Sequence, residues 1–413
     1  MKYGIITSGS RGDVQPFIAL ALALMEKGHD VTVVASENFR NFVEGFGVPY
    51  IPVTGDSEQI INSPVALKLL EGGSVFKFFY HLQKITAESS VQANREILEA
   101  CRRFDCLIVS VLPLPVVYSI AEKFHKKCVA VFLSLPPIPT REFPFQAIGI
   151  KGHPRINKLS YRLLGLGYLM IGKKIDAFRK EIGLPPANVL KACLKSGMLA
   201  ITALSPQLVR QPKDWPANAH ITGFFYLPLS ARVANKEIPE GLDDWLAKGD
   251  RPVYIGFGSI PIPNQAKFYQ ALQGLLAHKR VVLGAGWSVL KDLPVHPNLF
   301  VTKYIDHDWL MPRCCAVVIH GGIGTIAAAL RSGTPIIVVS VLADQPINGV
   351  MIEQKGLGRH IPFKKLTPDR LLQAIHAVQA PSIVENCKTV AAGIRAEDGL
   401  GRAVQLIEQY TLI

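Results

Sequence analysis

A histidine, three glycines and a threonine fall in one short run, His320-Gly-Gly-Ile-Gly-Thr325, directly after the apolar stretch Ala316–Ile319. Those types at that spacing suit the binding of an anion. Ala316–Ile319 has the unbroken apolar character of a strand buried on both faces, and the Ala-rich stretch after the run, ending near Gly333 and Pro335, has the composition of a helix. The first amides of a helix have no partner within it and its dipole favours negative charge there. Glycines at 321, 322 and 324 therefore let backbone approach a diphosphate closely. His320 and Thr325 add side-chain donors. Residues 336–341 form the next strand, and Asp344-Gln345 just beyond offers a carboxylate acceptor and an amide for vicinal hydroxyls. A diphosphate site beside a hydroxyl site describes a nucleotide sugar. The glycines alone would equally fit a turn with no ligand; the flanking His, Thr and Asp-Gln favour the ligand.

A second candidate lies near the start. The run GSRGDVQP from Gly9 to Pro16 joins a strand at residues 2–7 to a helix at residues 14–27, with Pro16 in the helix's first turn and Gly28 as its stop. A strand at 31–35 completes a βαβ unit, which puts this loop at the carboxyl edge of a parallel sheet, where doubly wound folds bind ligands. It is not G-x-G-x-x-G, so no NAD is inferred. Asp13 within it is either a helix N-cap, which residue type alone favours, or a general base. Asp306-His-Asp308 has a metal-binding D-x-D form, but a carboxylate before Trp309-Leu310 is more simply a helix N-cap. The stretch from Gly167 to Lys174 nearly matches a P-loop, yet it lacks the Ser or Thr that ligates Mg²⁺ and has apolar residues where a cradle is needed. No zinc spacing is present. No metal and no cofactor are expected.

With 413 residues, 49% of them apolar and 19% charged, the chain should fold throughout as two domains. Its N-terminal apolar run is too short for a signal peptide, and no stretch reaches the ~20 uninterrupted apolar residues of a membrane span. Seven scattered cysteines without a C-x-x-C fit a reducing cytoplasm. The formal charge of +13 is spread thinly and no nucleic-acid signature accompanies it, so no nucleic-acid partner is expected. The densest basic segment, residues 151–180, mixes Lys and Arg with Tyr161, Leu163, Leu164, Leu166 and Tyr168. Two readings of it stand: a weak peripheral membrane contact, or an amphipathic core helix with a solvated basic face.

Strands are expected also at 50–53, 106–111, 128–133, 253–257, 280–283 and 299–303, separated by helical stretches. The fold class is therefore α/β, with two Rossmann-like, doubly wound parallel-sheet domains facing across a cleft. We place an N-terminal domain at 1–215, a C-terminal domain at 216–394, a crossing rich in Pro and Asn around 205–245, and a final helix from 393 or 395 to 413 that returns to the N-terminal domain. Its apolar positions are Ile394, Leu400, Ala403, Leu406, Ile407 and Tyr410. Loops after the 106–111 and 128–133 strands are rich in Pro and apolar groups. Leu112, Pro136, Phe143 and Phe145 from them, with Phe76 and Phe79 from an intervening helix, are candidates for an apolar acceptor pocket.

In their order along the chain, GSRGDVQP, Gly256-Phe-Gly-Ser259, His307-Asp-Trp-Leu310, the His320 run, Gly333-Thr-Pro335 and Asp344-Gln345 resemble the family-1 glycosyltransferases of the GT-B fold. The resemblance is to the branch of sterol glucosyltransferases and bacterial glycopeptide or macrolide glycosyltransferases, and it spans the chain. It implies that Asp13 is the catalytic base and that Ser10 lies near the reacting sugar. His320, Gly322, Gly324, Thr325 and the Gly258-Ser259 turn would hold the diphosphate, Asp344 and Gln345 the hexose, and the Tyr304–His307 loop, including Ile305, with Trp287, the uracil. Asp306 stands where sterol-type relatives often carry Pro, and Val341-Leu342 replaces a commoner aromatic pair.

Chemistry agrees with the resemblance. Direct glycosyl transfer needs no enzyme nucleophile, only a base for the acceptor hydroxyl and stabilisation of the departing diphosphate. The partners implied are UDP-glucose or a related UDP-hexose as co-substrate and a small lipophilic acceptor. A GT-B sugar-nucleotide epimerase, or a non-catalytic protein that binds UDP-sugar or a membrane surface, would share many of these features.

Overall fold

The computed structural model describes residues 1–72, 85–145, 152–234, 238–342 and 344–412. The chain divides into two compact units. The first comprises Met1–Ser57, Thr86–Ala231 and Asp398–Ile413; the second comprises Glu58–Ile85 and Arg232–Glu397.

The first unit is built on a seven-stranded sheet in the order β3-β2-β1-β4-β5-β6-β7. Its strands are β1 (Lys2–Ile6), β2 (Asp30–Ser36), β3 (Tyr50–Val53), β4 (Cys106–Val109), β5 (Lys127–Phe132), β6 (Leu199–Thr202) and β7 (Ala219–Ile221), each pairing in parallel. The second unit carries a six-stranded parallel sheet in the order β10-β9-β8-β11-β12-β13. Its strands are β8 (Val253–Gly256), β9 (Val281–Gly284), β10 (Leu299–Thr302), β11 (Ala316–Ile319), β12 (Ile336–Ser340) and β13 (Gly358–Pro362). The central strands β4, β8, β11 and β12 are buried at every residue, which is why they appear in the sequence as continuous apolar runs rather than alternations.

Three strands escaped the sequence reading. β7 and β13 are each the edge strand of their own sheet and contain His220, and Arg359 and His360, respectively, and β6 precedes a long irregular stretch, so none shows a long apolar run. β7 lies inside the stretch expected to be a crossing, and the first unit extends to Ala231. The expected single terminal helix is two: Pro381–Arg395 in the second unit and Gly399–Leu412 in the first. Ile394 is buried on the former and so does not belong to the tail. The break has a local cause, because the Asp398 carboxylate accepts from the Gly401 amide at 2.8 Å and starts a new helix.

Helix Pro64–Gly72 lies within the expected N-terminal domain by sequence position, but it groups with the second unit. Its Ala66 and Leu70 form a small buried cluster with Leu342, in the loop after β12.

Candidate active site

Both sheets reverse their strand order once. In the second unit the reversal falls between β8 and β11, and in a doubly wound sheet the crevice beyond the strand ends at such a point is the ligand site. The loop after β8 carries Gly258 and Ser259, and the loop after β11 carries His320, so the two predicted diphosphate loops flank the crevice. They touch: Gly258 has φ +58°, and a Cβ added there would come 3.2 Å from His320 Cε1. A side chain at Gly322 would sit 2.4 Å from His320 Nε2 and displace the imidazole.

Helix Ile323–Ser332 begins at Gly322 with no side chain capping it, and Gly324 in its first turn is exposed. Its opening amides and dipole thus present an electropositive end without a built-in anion. Above it, His320 is buried, and burial pushes its pKa down to about 4. The imidazole is therefore neutral at physiological pH and would meet an anion as a hydrogen-bonding group, not as a cation. Thr325 lies partly buried in the same turn.

The hexose candidates behave differently from one another. Gln345 is 3% exposed, and its Oε1 accepts from the Val341 and Leu342 amides at 2.8 and 3.1 Å. Its oxygen thus shapes the loop. Asp344 is the helix N-cap position of Gln345–Gln354, and burial raises its pKa above the usual carboxylate value while a hydrogen bond from Asn348 opposes the rise. Asn348 escaped sequence reading. Its Nδ2 donates to Asp344 Oδ2 at 3.0 Å and to the Gly321 carbonyl, also at 3.0 Å. Gly321 has φ +96°, which favours glycine, and a Cβ there would lie 2.6 Å from Val338. One buried amide therefore ties the Asp344 carboxylate, a candidate for the hexose, to the turn of the candidate diphosphate loop. The only trace of it in sequence is an Asn one helical turn after an Asp.

The loops after β9 and β10 complete this edge. Trp287 is buried and its amide donates to the Gly258 carbonyl at 2.9 Å, so it braces the Gly258-Ser259 turn. Ile305 is buried and Tyr304 partly so. The Asp306 carboxylate accepts from the Trp309 amide at 3.1 Å, the N-cap role favoured from sequence, and Asp308 lies 3.9 Å from Arg331. A second support was not foreseen: the Tyr254 hydroxyl and His307 Nε2 are hydrogen bonded at 2.9 Å. That hydroxyl fits between Gly256 and Gly284, where added Cβ atoms would fall 2.3 and 2.7 Å from it.

In the first unit the reversal falls between β1 and β4, and Asp13 sits in the loop region after β1. The helix begins at Arg11, three residues earlier than expected, so Ser10 is its N-cap and Asp13 its third residue. Asp13 Oδ2 accepts from the Ser10 amide at 2.7 Å and from Ser10 Oγ at 2.9 Å. Ser10 thus orients the carboxylate directly. Leu112 follows β4 across the same reversal and is 61% exposed, while Pro136 after β5 is buried. Phe143 packs edge-on against Trp215 and Phe145 against Tyr161, which gives both rings partners within the unit. Phe76 and Phe79 lie outside the described residues. Among the described residues, no group of three or more His, Cys, Asp or Glu is placed to hold a metal ion.

Two doubly wound parallel sheets, each with its polar loops at a strand-order reversal, define the GT-B class of glycosyltransferase fold. Solved structures agree. The glycotransferase of kitacinnamycin has a TM-score of 0.71 over 99% of this chain and 98% of its own, at 21% identity. The glycosyltransferase SsfS6 of Streptomyces sp. SF2575, complexed with thymidine diphosphate, has a TM-score of 0.63 over 99% of each chain, also at 21% identity. Residues 3–106 match the glycosyltransferase family 28 N-terminal domain, and residues 281–401 match the C-terminal domain of erythromycin biosynthesis protein CIII-like proteins. Sterol 3-beta-glucosyltransferase UGT80B1 of Arabidopsis thaliana is 32% identical over 99% of this chain and 68% of its own length. Its relative UGT80A2 is 32% identical over 98% of this chain. The chain belongs to the family-1 glycosyltransferases of the GT-B fold, alongside the sterol glucosyltransferases. It spans 65% of the length of UGT80A2.

Proposed function

We propose that the protein is an inverting, UDP-sugar-dependent hexosyltransferase that moves glucose, or a related hexose, onto a hydroxyl of a lipophilic acceptor such as a sterol, a triterpenoid or another natural-product aglycone. The observation that carries the proposal is the uncapped first turn of helix Ile323–Ser332 under a neutral His320, joined through Asn348 to the Asp344 carboxylate. In this reaction Asp13 takes the acceptor's hydroxyl proton. The acceptor oxygen bonds to the anomeric carbon as the carbon–oxygen bond to the diphosphate breaks. The leaving UDP carries the electron pair into the electropositive turn. A cytoplasmic site of action fits the seven free cysteines, six of them buried.

Incubation with UDP-glucose and a panel of sterols, triterpenoids, flavonoids and macrolides, read by mass, tests the proposal. A one-hexose mass gain on a lipophilic acceptor is expected, with dTDP-glucose as competitor to report base preference. Release of UDP without any acceptor product would favour the epimerase, and donor binding without turnover a non-catalytic protein.

A covalent intermediate would need a nucleophile beneath the anomeric carbon, and Asp344, next to Gln345 and just after a strand, suits hydroxyl binding better. Single displacement should therefore give a β-linked product from an α-UDP-hexose, and turnover should survive EDTA because helix amides and neutral donors, rather than carboxylates, would meet the diphosphate at this turn. The anomeric proton coupling of the product and a chelation assay check the two halves; a small α-type coupling, or loss of turnover restored by Mg²⁺ or Mn²⁺, would contradict them.

Asn348→Ala removes one buried and one partly buried hydrogen bond, together ~1–3 kcal/mol, and should raise the donor KM roughly 10- to 100-fold. Its pH signature has a definite sign. Asn348 holds down a carboxylate pKa that burial has already raised, so its loss raises that pKa further, and the acid limb of kcat/KM moves to higher pH. An unchanged acid limb would show that Asn348 does not act through Asp344.

A further inference from the structure

Among the described residues, no helix is long and apolar enough to cross a membrane. The basic segment nevertheless presents an unusual surface. Helix Pro154–Ser160 runs through the turn Tyr161–Leu163 into helix Leu164–Glu181. Its inward face is anchored by Asn157 and Tyr161, both buried, with Asn157 Nδ2 donating to the Arg141 carbonyl at 2.8 Å. Tyr161 and Tyr168 are turned into the protein, as in an amphipathic core helix. The residues left outside are different ones. Ile156, Leu159 and Leu163 are 50%, 53% and 37% exposed, and their i, i+3, i+7 spacing puts them on one stripe. Arg155, Lys158 and Arg162, each one position earlier and also exposed, make a parallel basic stripe beside it. From Gly152 to Ile175 the chain contains no Asp or Glu, and the exposed Lys173 and Lys174 add further positive charge.

We propose that this stripe docks the protein on the surface of an anionic lipid bilayer, with Ile156, Leu159 and Leu163 in the headgroup–acyl boundary and Arg155, Lys158 and Arg162 on the lipid phosphates. A soluble acidic protein would satisfy the cations but leave three solvent-facing aliphatic side chains without a reason. A zwitterionic surface would satisfy the aliphatics alone. An anionic bilayer takes both stripes at once. The inference deepens the lipophilic-acceptor proposal, since a surface-bound enzyme meets such an acceptor where it is dissolved.

Flotation of the whole chain with phosphatidylcholine vesicles, and with the same vesicles containing phosphatidylglycerol, tests the proposal. The chain should float with the anionic vesicles only and be released by high salt. The combined variant Arg155→Gln, Lys158→Gln, Arg162→Gln should bind on the order of a hundredfold more weakly, as three lost surface cations imply. The combined variant Ile156→Asn, Leu159→Asn, Leu163→Asn should also fail to float, with an unchanged melting temperature because its sites are solvent-exposed. A parental chain that stays with the soluble fraction, or Gln and Asn variants that float like it, would overturn the proposal. Transfer to a water-soluble acceptor without vesicles should stay within about twofold in both variants, so a membrane result and a catalytic result fail separately.

Discussion

Asp13→Asn should leave donor binding intact and cut glycosyl transfer by ~10²–10⁴, the contribution expected of a general base. The substitution suits the question because the new amide oxygen can still accept from the Ser10 amide and Ser10 Oγ, so the helix start keeps its geometry. What is lost is the ability to take a proton. The measurement is kcat for transfer beside UDP-sugar affinity by calorimetry. Turnover near the parental rate would remove Asp13 from the mechanism; loss of donor affinity would mean that the residue serves structure instead.

Deleting residues 398–413 should have the largest effect on stability, abolishing the cooperative folding of the first unit and all activity with it. Helix Gly399–Leu412 buries Ala403, Val404, Leu406 and Ile407. Its three larger aliphatic side chains, at ~1.5–3 kcal/mol each, amount to much of the ~5–15 kcal/mol by which a whole domain is stable. Polar contacts fix its position. Tyr3 and Thr411 share a buried hydrogen bond of 3.1 Å, His29 meets Glu408 at 2.9 Å, and Lys127 donates to the Thr411 carbonyl at 2.9 Å. Gly399 lies so close to Gly223 and Phe224 that an added Cβ would approach their backbone to 2.6 Å. Thermal unfolding followed by circular dichroism decides the matter: a monodisperse, active truncation with the parental melting temperature would make the helix dispensable.

The sequence by itself determined the elements whose causes are local. Apolar runs marked the central strands because parallel strands covered on both faces leave no room for alternation. The Gly-rich turn before an Ala-rich helix marked the start of helix Ile323–Ser332, which no side chain caps, since unpartnered amides and the absence of side chains there are properties of a few consecutive residues. Asp306 before Trp309 was legible as a cap for the same reason.

Only the tertiary structure decided what depends on neighbours far apart in the chain. Local pattern does not encode strand order, so nothing in the residues alone put β8 beside β11 and brought Gly258 against His320. Burial direction is equally non-local. It turned Tyr161 inward and left Ile156 and Leu159 outside, held the Gln345 oxygen on its own loop, and joined helix Pro64–Gly72 to Leu342. Asn348 shows the difference most sharply. An asparagine in a helix has no fixed meaning until the fold sets a carboxylate and the Gly321 carbonyl each 3.0 Å from its amide nitrogen.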